Sequence, residues 1–231
     1  MNIIINGGSR GIGKEIVLYM ARDAGNNILV TGRNNAALKK ISDSATHNNI
    51  FYHTTDISVF DDYRESFIKK VRYHFEHVDI LINNAGMLVI SDFIGFDEQK
   101  ARKMMETNFF GPATMIRSLL PLMGEGSHIL NISSMGGFQG SSKYRGMSYY
   151  SASKAALSCL SESLAAEFRG KGIAVNCLAL GAVQTEMFEE AFPGFKAPVN
   201  ATEIAKFISD FAVSGNKFFN GKVIPVAFSD P

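Results

Sequence analysis

Tyr150 and Lys154 stand four residues apart in Tyr150-Ser151-Ala152-Ser153-Lys154, inside a segment of helical period. That spacing puts both side chains on one face of a helix, where an ammonium can lie beside a phenol. A free tyrosine has a pKa of about 10 and is a poor base near neutrality, but a neighbouring positive charge favours the phenolate and brings that value down. Such a pair can give a proton to a substrate oxygen or take one from it. Tyr144 and Tyr149 are rival phenols, and neither precedes a lysine by four residues. Upstream, Ser133 and Ser134 close an apolar run, and a neutral hydroxyl at a strand end can bond and polarise a carbonyl oxygen. Successive strand residues point to opposite faces, so only one of the two enters the site.

A second constellation opens the chain. Asn6-Gly7-Gly8-Ser9-Arg10-Gly11-Ile12-Gly13 follows the first aliphatic run directly and leads into a helical segment. Glycines let backbone turn tightly against a pyrophosphate, and free N–H groups at a helix N-terminus meet its charge. About twenty residues further on, an NAD-binding site places an Asp or Glu on the ribose 2′-hydroxyl. This chain has Thr31-Gly32-Arg33 there instead. A guanidinium at that point can pair with a 2′-phosphate, and Arg10 can reach the same group, so the residues favour NADP(H) over NAD(H).

The spacing Gly7-x-x-x-Gly11-x-Gly13 resembles the short-chain dehydrogenase/reductase family. The resemblance runs along nearly the whole chain through Asn83-Asn84-Ala85-Gly86, Asn108, Asn131-Ile132-Ser133-Ser134 and the Tyr150–Lys154 segment. It implies a hydride carried between nicotinamide and a carbonyl or alcohol, with Tyr150 as acid and base, Lys154 on the nicotinamide ribose and Ser134 on the substrate oxygen. Asn108 would hold a water linking Lys154 to solvent. By the same resemblance Gly7, Ser9, Arg10, Gly11, Ile12 and Gly13 cradle the phosphates, Arg33 reads the 2′-phosphate, and Asp56 and Ile57 flank the adenine. Asn83, Ala85 and Gly86 line the cofactor, and Val183 and Thr185 meet the carboxamide. The sequence departs from the pattern twice: Leu180 stands where proline is usual, which removes a fixed φ and loosens that loop. The interval from Ser134 to Tyr150 is also longer, through Gly140–Gly146.

The elements that must position these residues are legible from periodicity. Short aliphatic runs near 2–6, 27–31, 50–54, 79–83, 127–132, 173–179 and 222–227 alternate with helical segments near 12–24, 34–46, 60–75, 97–119, 149–169 and 201–213. That rhythm predicts an α/β fold, a single-domain doubly wound parallel sheet of about seven strands spanning 1–231. Ligands then gather at the carboxyl ends of the strands. Residues 186–200, with Phe188, Phe192 and Phe195, are expected to form a lid that suits an apolar or aromatic ligand, or else the buried face of a short helix.

Bulk composition excludes much else. The chain has 231 residues, 46% hydrophobic and 19% charged, with no apolar run of membrane-spanning length and no secretory leader pattern after Met1, which points to the cytoplasm. A formal charge of +1 and no Lys/Arg cluster give nucleic acid no footing. Cys159 and Cys177 and the five histidines lack metal-ligand spacing, so no metal is expected; they read as buried thiols and surface imidazoles. The resemblance implies a homodimer or homotetramer through the segments 97–119 and 149–169, whose outer positions would include Met104, Met105, Met115, Ile116, Leu157 and Leu160. Two other functions share parts of these motifs: a sugar-nucleotide epimerase or dehydratase, disfavoured by the short region after Thr185, and a non-catalytic NADP(H)-binding regulator, disfavoured by the intact Ser134, Tyr150 and Lys154.

Overall fold

The aliphatic runs form strands and the periodic segments form helices, in the order β1 (Asn2–Asn6), α1 (Gly11–Met20), β2 (Asn27–Gly32), α2 (Asn35–Asp43), β3 (Ile50–Thr54), α3 (Arg64–His74) and β4 (Ile80–Asn83). There follow α4 (Glu98–Met105), α5 (Gly111–Leu119), β5 (His128–Ser134), α6 (Ser148–Glu167), β6 (Ala174–Leu180), β7 (Val183–Gln184), α7 (Glu186–Ala191), β8 (Val199–Asn200), α8 (Ala201–Ser214) and β9 (Val223–Val226). This computed structural model describes residues 1–228, so the last three residues of the 1–231 span lie outside the described residues. Seven strands make one parallel sheet in the order β3-β2-β1-β4-β5-β6-β9, and β7 and β8 pair separately. The order reverses between β1 and β4, which opens a crevice at their carboxyl ends.

Alternation along each strand divides the core. Ile3 and Ile5 of β1 face α1 and α8, where they meet Ile16, Val17, Ile204 and Ile208. Ile4 faces the opposite layer, with Phe67 and Val71 of α3 and Met115 and Leu119 of α5. A strand covered on both faces needs apolar side chains in both phases, which explains the unbroken Ile3-Ile4-Ile5. Each such side chain removed from water contributes about 1.5–3 kcal/mol.

Toward the crevice the apolar rows give way to a polar one. Thr31, Asn6, Asn83, Asn131 and Cys177 lie in register across five strands. Thr31 Oγ1 donates to Asn6 Oδ1 (3.2 Å), Asn83 Nδ2 to Asn131 Oδ1 (2.9 Å), and Asn131 Nδ2 to Ser161 Oγ (2.9 Å). Asn83 is therefore engaged within the sheet.

The expected helix 97–119 is divided. Between α4 and α5 the turn Glu106–Phe110 widens to a π-helical spacing. Pro112 explains the opening, since it has no N–H and its ring crowds the carbonyl four residues back, that of Asn108. The outer apolar stripe expected to carry subunit contacts also differs. Met104, Met115, Ile116 and Leu157 are buried in the chain's own core, so four of those six positions cannot carry an interface.

The thiols and imidazoles divide differently from expectation as well. Cys159 is exposed and Cys177 buried. His128 is fully buried, with Nδ1 2.9 Å from the Ala212 carbonyl and Nε2 3.1 Å from Asn176 Nδ2. A neutral ring that donates from Nδ1 and accepts at Nε2 satisfies both neighbours; a second ring proton would face the amide N–H. Burial accordingly pushes the imidazole below its ordinary value, against the smaller pull of the Ala212 carbonyl. The unfolded chain binds this proton more tightly, so the stabilisation is complete above the unfolded value of about 6.5 and is lost as pH falls toward the folded one. His53 and His74 are lowered by burial too. The melting temperature is expected to fall between pH 7 and pH 5, and His128→Leu, although less stable throughout, should show a shallower fall. An unchanged slope would remove His128 from the acid response.

Candidate active site

The first βα turn is shaped by backbone proximity. Gly7 has φ +84°, and a Cβ there would stand 2.5 Å from the Ala85 Cα and N, so no other residue brings the loop this close to the end of β4. Gly13 packs beneath it against the Gly7 carbonyl, and Asn84 Nδ2 donates to that same carbonyl at 2.9 Å. No side chain caps α1, whose N-cap is Arg10, and no acid occupies its first turn. Its leading N–H groups thus face the cleft with no side chain among the described residues capping them. By contrast α2, α4, α7 and α8 are capped by Asn34, Asp97, Thr185 and Asn200.

One cleft of about 660 Å³ runs from this turn across the carboxyl edge of the sheet. Gly7, Ser9, Arg10, Gly11, Ile12, Arg33, Asp56, Ile57 and Ala85 line it, with Thr185 against Gly11, and so do Ser134, Tyr150, Lys154 and Val183, with Gly86 against Lys154. Asn83 is not among the lining residues; its neighbour Asn84 is. The strand's alternation accounts for the exchange, since Asn83 belongs to the in-register row and Asn84 follows the strand's last residue. Asp56 also caps the turn that follows it, accepting from Ser58 N at 3.0 Å. Thr185 Oγ1 accepts from Phe188 N at 3.2 Å, which uses an acceptor side and leaves its O–H to donate.

The two arginines differ. Arg33 makes no ion pair among the described residues and is exposed at the end of β2. Arg10 is paired with Glu190 of α7, Nη1 to Oε1 2.7 Å, a contact between the glycine turn and the 186–200 segment. Glu186 of the same helix brings Oε2 to 3.5 Å from where a Gly11 Cβ would lie. The sequence gives no hint of these carboxylates, because 180 residues separate Arg10 from Glu190.

At the other end Lys154 is 4% exposed and donates from Nζ to the Ile132 carbonyl at 2.8 Å. Its own carbonyl accepts from Ser133 Oγ (2.9 Å) and Ser158 Oγ (3.0 Å). Ser133 is thus turned into α6, while Ser134 Oγ, which accepts from Gly136 N at 3.2 Å, stands at the cleft beside Tyr150. Burial lowers the Lys154 ammonium to about 8, with the Cys177 thiol acting weakly against it. The Tyr150 phenol moves up, not down: burial raises it, and the Ser134 hydroxyl works the other way. The lysine lines the same cleft as the tyrosine, and one of its ammonium N–H groups is bound to a backbone carbonyl. Of the rival phenols, Tyr149 stacks on Phe93 with ring centroids 5.6 Å apart, and Tyr144 lines the cleft.

Both departures from the family pattern have structural outcomes. Leu180 extends β6, pairing with Ser134 on one side and Val226 on the other, so the sheet holds the segment that a proline would otherwise stiffen. The longer Ser134–Tyr150 interval is tied down by Arg145, which binds Asp92 through Nε (2.9 Å) and Nη2 (3.1 Å), and it contributes Tyr144 and Met147 to the wall. Met87, Met135 and Met187 join them there, from three further segments with no shared spacing to reveal them. Among the described residues no group of His, Cys, Asp or Glu could hold a metal, and no helix is long and apolar enough to cross a membrane.

These features agree with comparison to known proteins. The short chain dehydrogenase family model matches residues 1–194, so the chain belongs to the short-chain dehydrogenase/reductase family and is an oxidoreductase of Rossmann-type fold. It is 28% identical over 204 residues to an uncharacterized oxidoreductase of Staphylococcus epidermidis, covering 87% of this chain and 86% of that protein. The solved structure of BdcA in complex with NADPH is 26% identical, with TM-score 0.83 over 98% of this chain and 92% of that one. A short chain dehydrogenase from Burkholderia cenocepacia in complex with NADP, 23% identical, shares the fold with TM-score 0.85 over 97% and 95% of the two chains.

Asn108 lies in the π-helical turn, fully buried. Its Oδ1 accepts from Met87 N (2.7 Å), and its Nδ2 donates to the Met87 carbonyl (2.9 Å) and Ser153 Oγ (2.9 Å). Gly86 separates it from Lys154, since a Cβ there would lie 3.6 Å from Asn108 Oδ1 and 3.4 Å from Lys154 Nζ. Asn108→Ala strands the partly buried N–H and carbonyl of Met87, each worth up to about 1–3 kcal/mol. Urea denaturation is expected to show a loss of about 2–4 kcal/mol; a loss under about 0.5 kcal/mol would mean that water replaces the amide freely.

Proposed function

We propose that the protein reduces a carbonyl compound with NADPH, with Tyr150 as the proton donor. The observation that carries this reading is the convergence of Ser134, Tyr150 and Lys154 in one cleft with the uncapped N-terminus of α1. The glycine turn and that helix end suit a pyrophosphate, and Arg33 suits a 2′-phosphate. BdcA, at 26% identity, was solved with NADPH, which supports the same choice. When bound, the nicotinamide supplies the hydride.

The residues of the chain do the rest. Ser134 donates a hydrogen bond to the substrate oxygen and holds it near the phenol. As negative charge gathers on that oxygen, Tyr150 gives up its proton. Burial keeps the phenol protonated at neutral pH, which favours the reducing direction. Lys154 remains charged below about 8 and, anchored to Ile132, would hold the cofactor ribose.

Tyr150→Phe deletes the proton path and leaves the phosphate end intact, so kcat for carbonyl reduction is expected to fall at least a hundredfold with NADPH affinity nearly unchanged. Activity within a few-fold of the parent would sink the assignment. For the cofactor, Arg33→Ala should weaken NADPH binding by about one to two decades and NADH binding much less, since one charge-assisted contact is worth roughly 1.5–3 kcal/mol. Glu190→Gln releases Arg10 and should tighten NADPH up to about fivefold, the reach of an exposed ion pair. Titration of both cofactors decides the matter: equal losses for NADPH and NADH in Arg33→Ala would show that Arg33 does not read the phosphate.

A further inference from the structure

The cleft is chemically two-sided. Its charged lining residues are Arg10, Arg33, Asp56, Glu186 and Lys154. Arg10, Arg33, Asp56 and Glu186 belong to the glycine-loop end, Glu186 by its approach to Gly11. Lys154, at the Tyr150 end, donates to the Ile132 carbonyl. The rest of the lining is rich in large apolar side chains, with Met87, Met135, Met147, Met187, Phe188 and Phe192, and among the described residues it holds no charged group besides the five just named. Lys143 and Arg145, which flank the lining residue Tyr144, are held elsewhere, Lys143 by the Phe138 carbonyl at 2.6 Å and Arg145 by Asp92.

From this asymmetry we infer that the substrate is an uncharged ketone or aldehyde carrying a bulky apolar or aromatic group, and not a keto acid, a sugar or a phosphorylated compound. The inference rests on the carbonyl-reducing reading above and names the substrate class for that site. A carboxylate or phosphate here meets no cation besides Lys154, which is already bound to the Ile132 carbonyl, and it loses its water, which is costly. A polyol finds few polar groups besides Tyr144 and the hydroxyls committed to the reacting oxygen. An apolar substituent gains by leaving water in proportion to its area. The four methionines come from the segments after β4 and β5, the approach to α6, and α7. Their unbranched, polarisable side chains can repack around substituents of different outline, so the wall selects for apolarity more than for one shape.

The test is steady-state NADPH oxidation with two matched series. One is the straight-chain 2-ketones from butanone to nonanone; the other pairs acetophenone with its para-carboxylate. In the first, kcat/KM is expected to climb about threefold to fourfold per added methylene until the wall is filled. In the second, the carboxylate should lower kcat/KM at least a hundredfold. Met187→Lys sets a cation in the wall and should narrow that gap about tenfold, a change that a general loss of folding would not produce. A flat chain-length series, or equal turnover of the acid and its neutral partner, overturns the apolar-substrate inference while leaving carbonyl reduction standing. No turnover of any ketone, with NADPH binding intact, overturns the carbonyl reading itself and this inference with it.

Discussion

Lys154 is fastened to β5 from both ends of its own residue. Its Nζ reaches the Ile132 carbonyl and its carbonyl receives the Ser133 hydroxyl, so two consecutive residues of one strand hold a single residue of α6. The next strand residue is Ser134 and the helix residue one turn earlier is Tyr150, which means that this double attachment fixes the distance between the two groups proposed to meet the substrate oxygen. A buried ammonium is tolerated only because a carbonyl answers it. The lowered proton affinity of Lys154 is the residual cost of that burial. The Tyr150 phenol is nevertheless raised, because its burial outweighs the other influences on it.

The fold was largely legible because strand and helix periods differ and the chain obeys both. Ile3-Ile4-Ile5 reads as a doubly covered strand, and the segment 50–54 emerges with unchanged limits. The misreadings have physical causes. Asn83 and Asn84 are adjacent and chemically identical, and only the register of β4 with β1 and β5 decides which one serves the sheet. Met104, Met115, Ile116 and Leu157 have helical spacing in either case; whether such a stripe meets the core or a second subunit depends on helix orientation, which periodicity does not carry. At the site, motifs whose residues are close in sequence were readable, as with Tyr150 and Lys154. Pairings across the whole chain, Arg10 with Glu190 above all, were not.

The cleft combines two environments that would ordinarily compete. Near the glycine turn, backbone N–H groups and guanidinium groups keep a polar trough, while past Tyr150 thioethers and phenyl rings exclude charge. The 186–200 segment serves both, because α7 presents Glu186 and Glu190 toward the turn and Met187 and Phe188 toward the apolar wall. A helix of only six residues is thus the boundary between them. Its Thr185 cap fixes where that boundary begins.

Gly137 lies just beyond β5 and against the first turns of α6. A Cβ at this position would come within 2.6 Å of the Lys154 carbonyl carbon and the Ala155 nitrogen, so the two segments meet as bare backbone. The consequence concerns how such a chain can drift over generations. Relatives that share little more than a quarter of their residues with it show how freely most of the sequence can change while the fold persists. The outward side of α6, with Ala155, Cys159, Glu162 and Ala166 exposed, can vary in that way at small cost. Position 137 cannot, because any side chain there lifts the whole helix and carries Tyr150 and Lys154 away from β5 together.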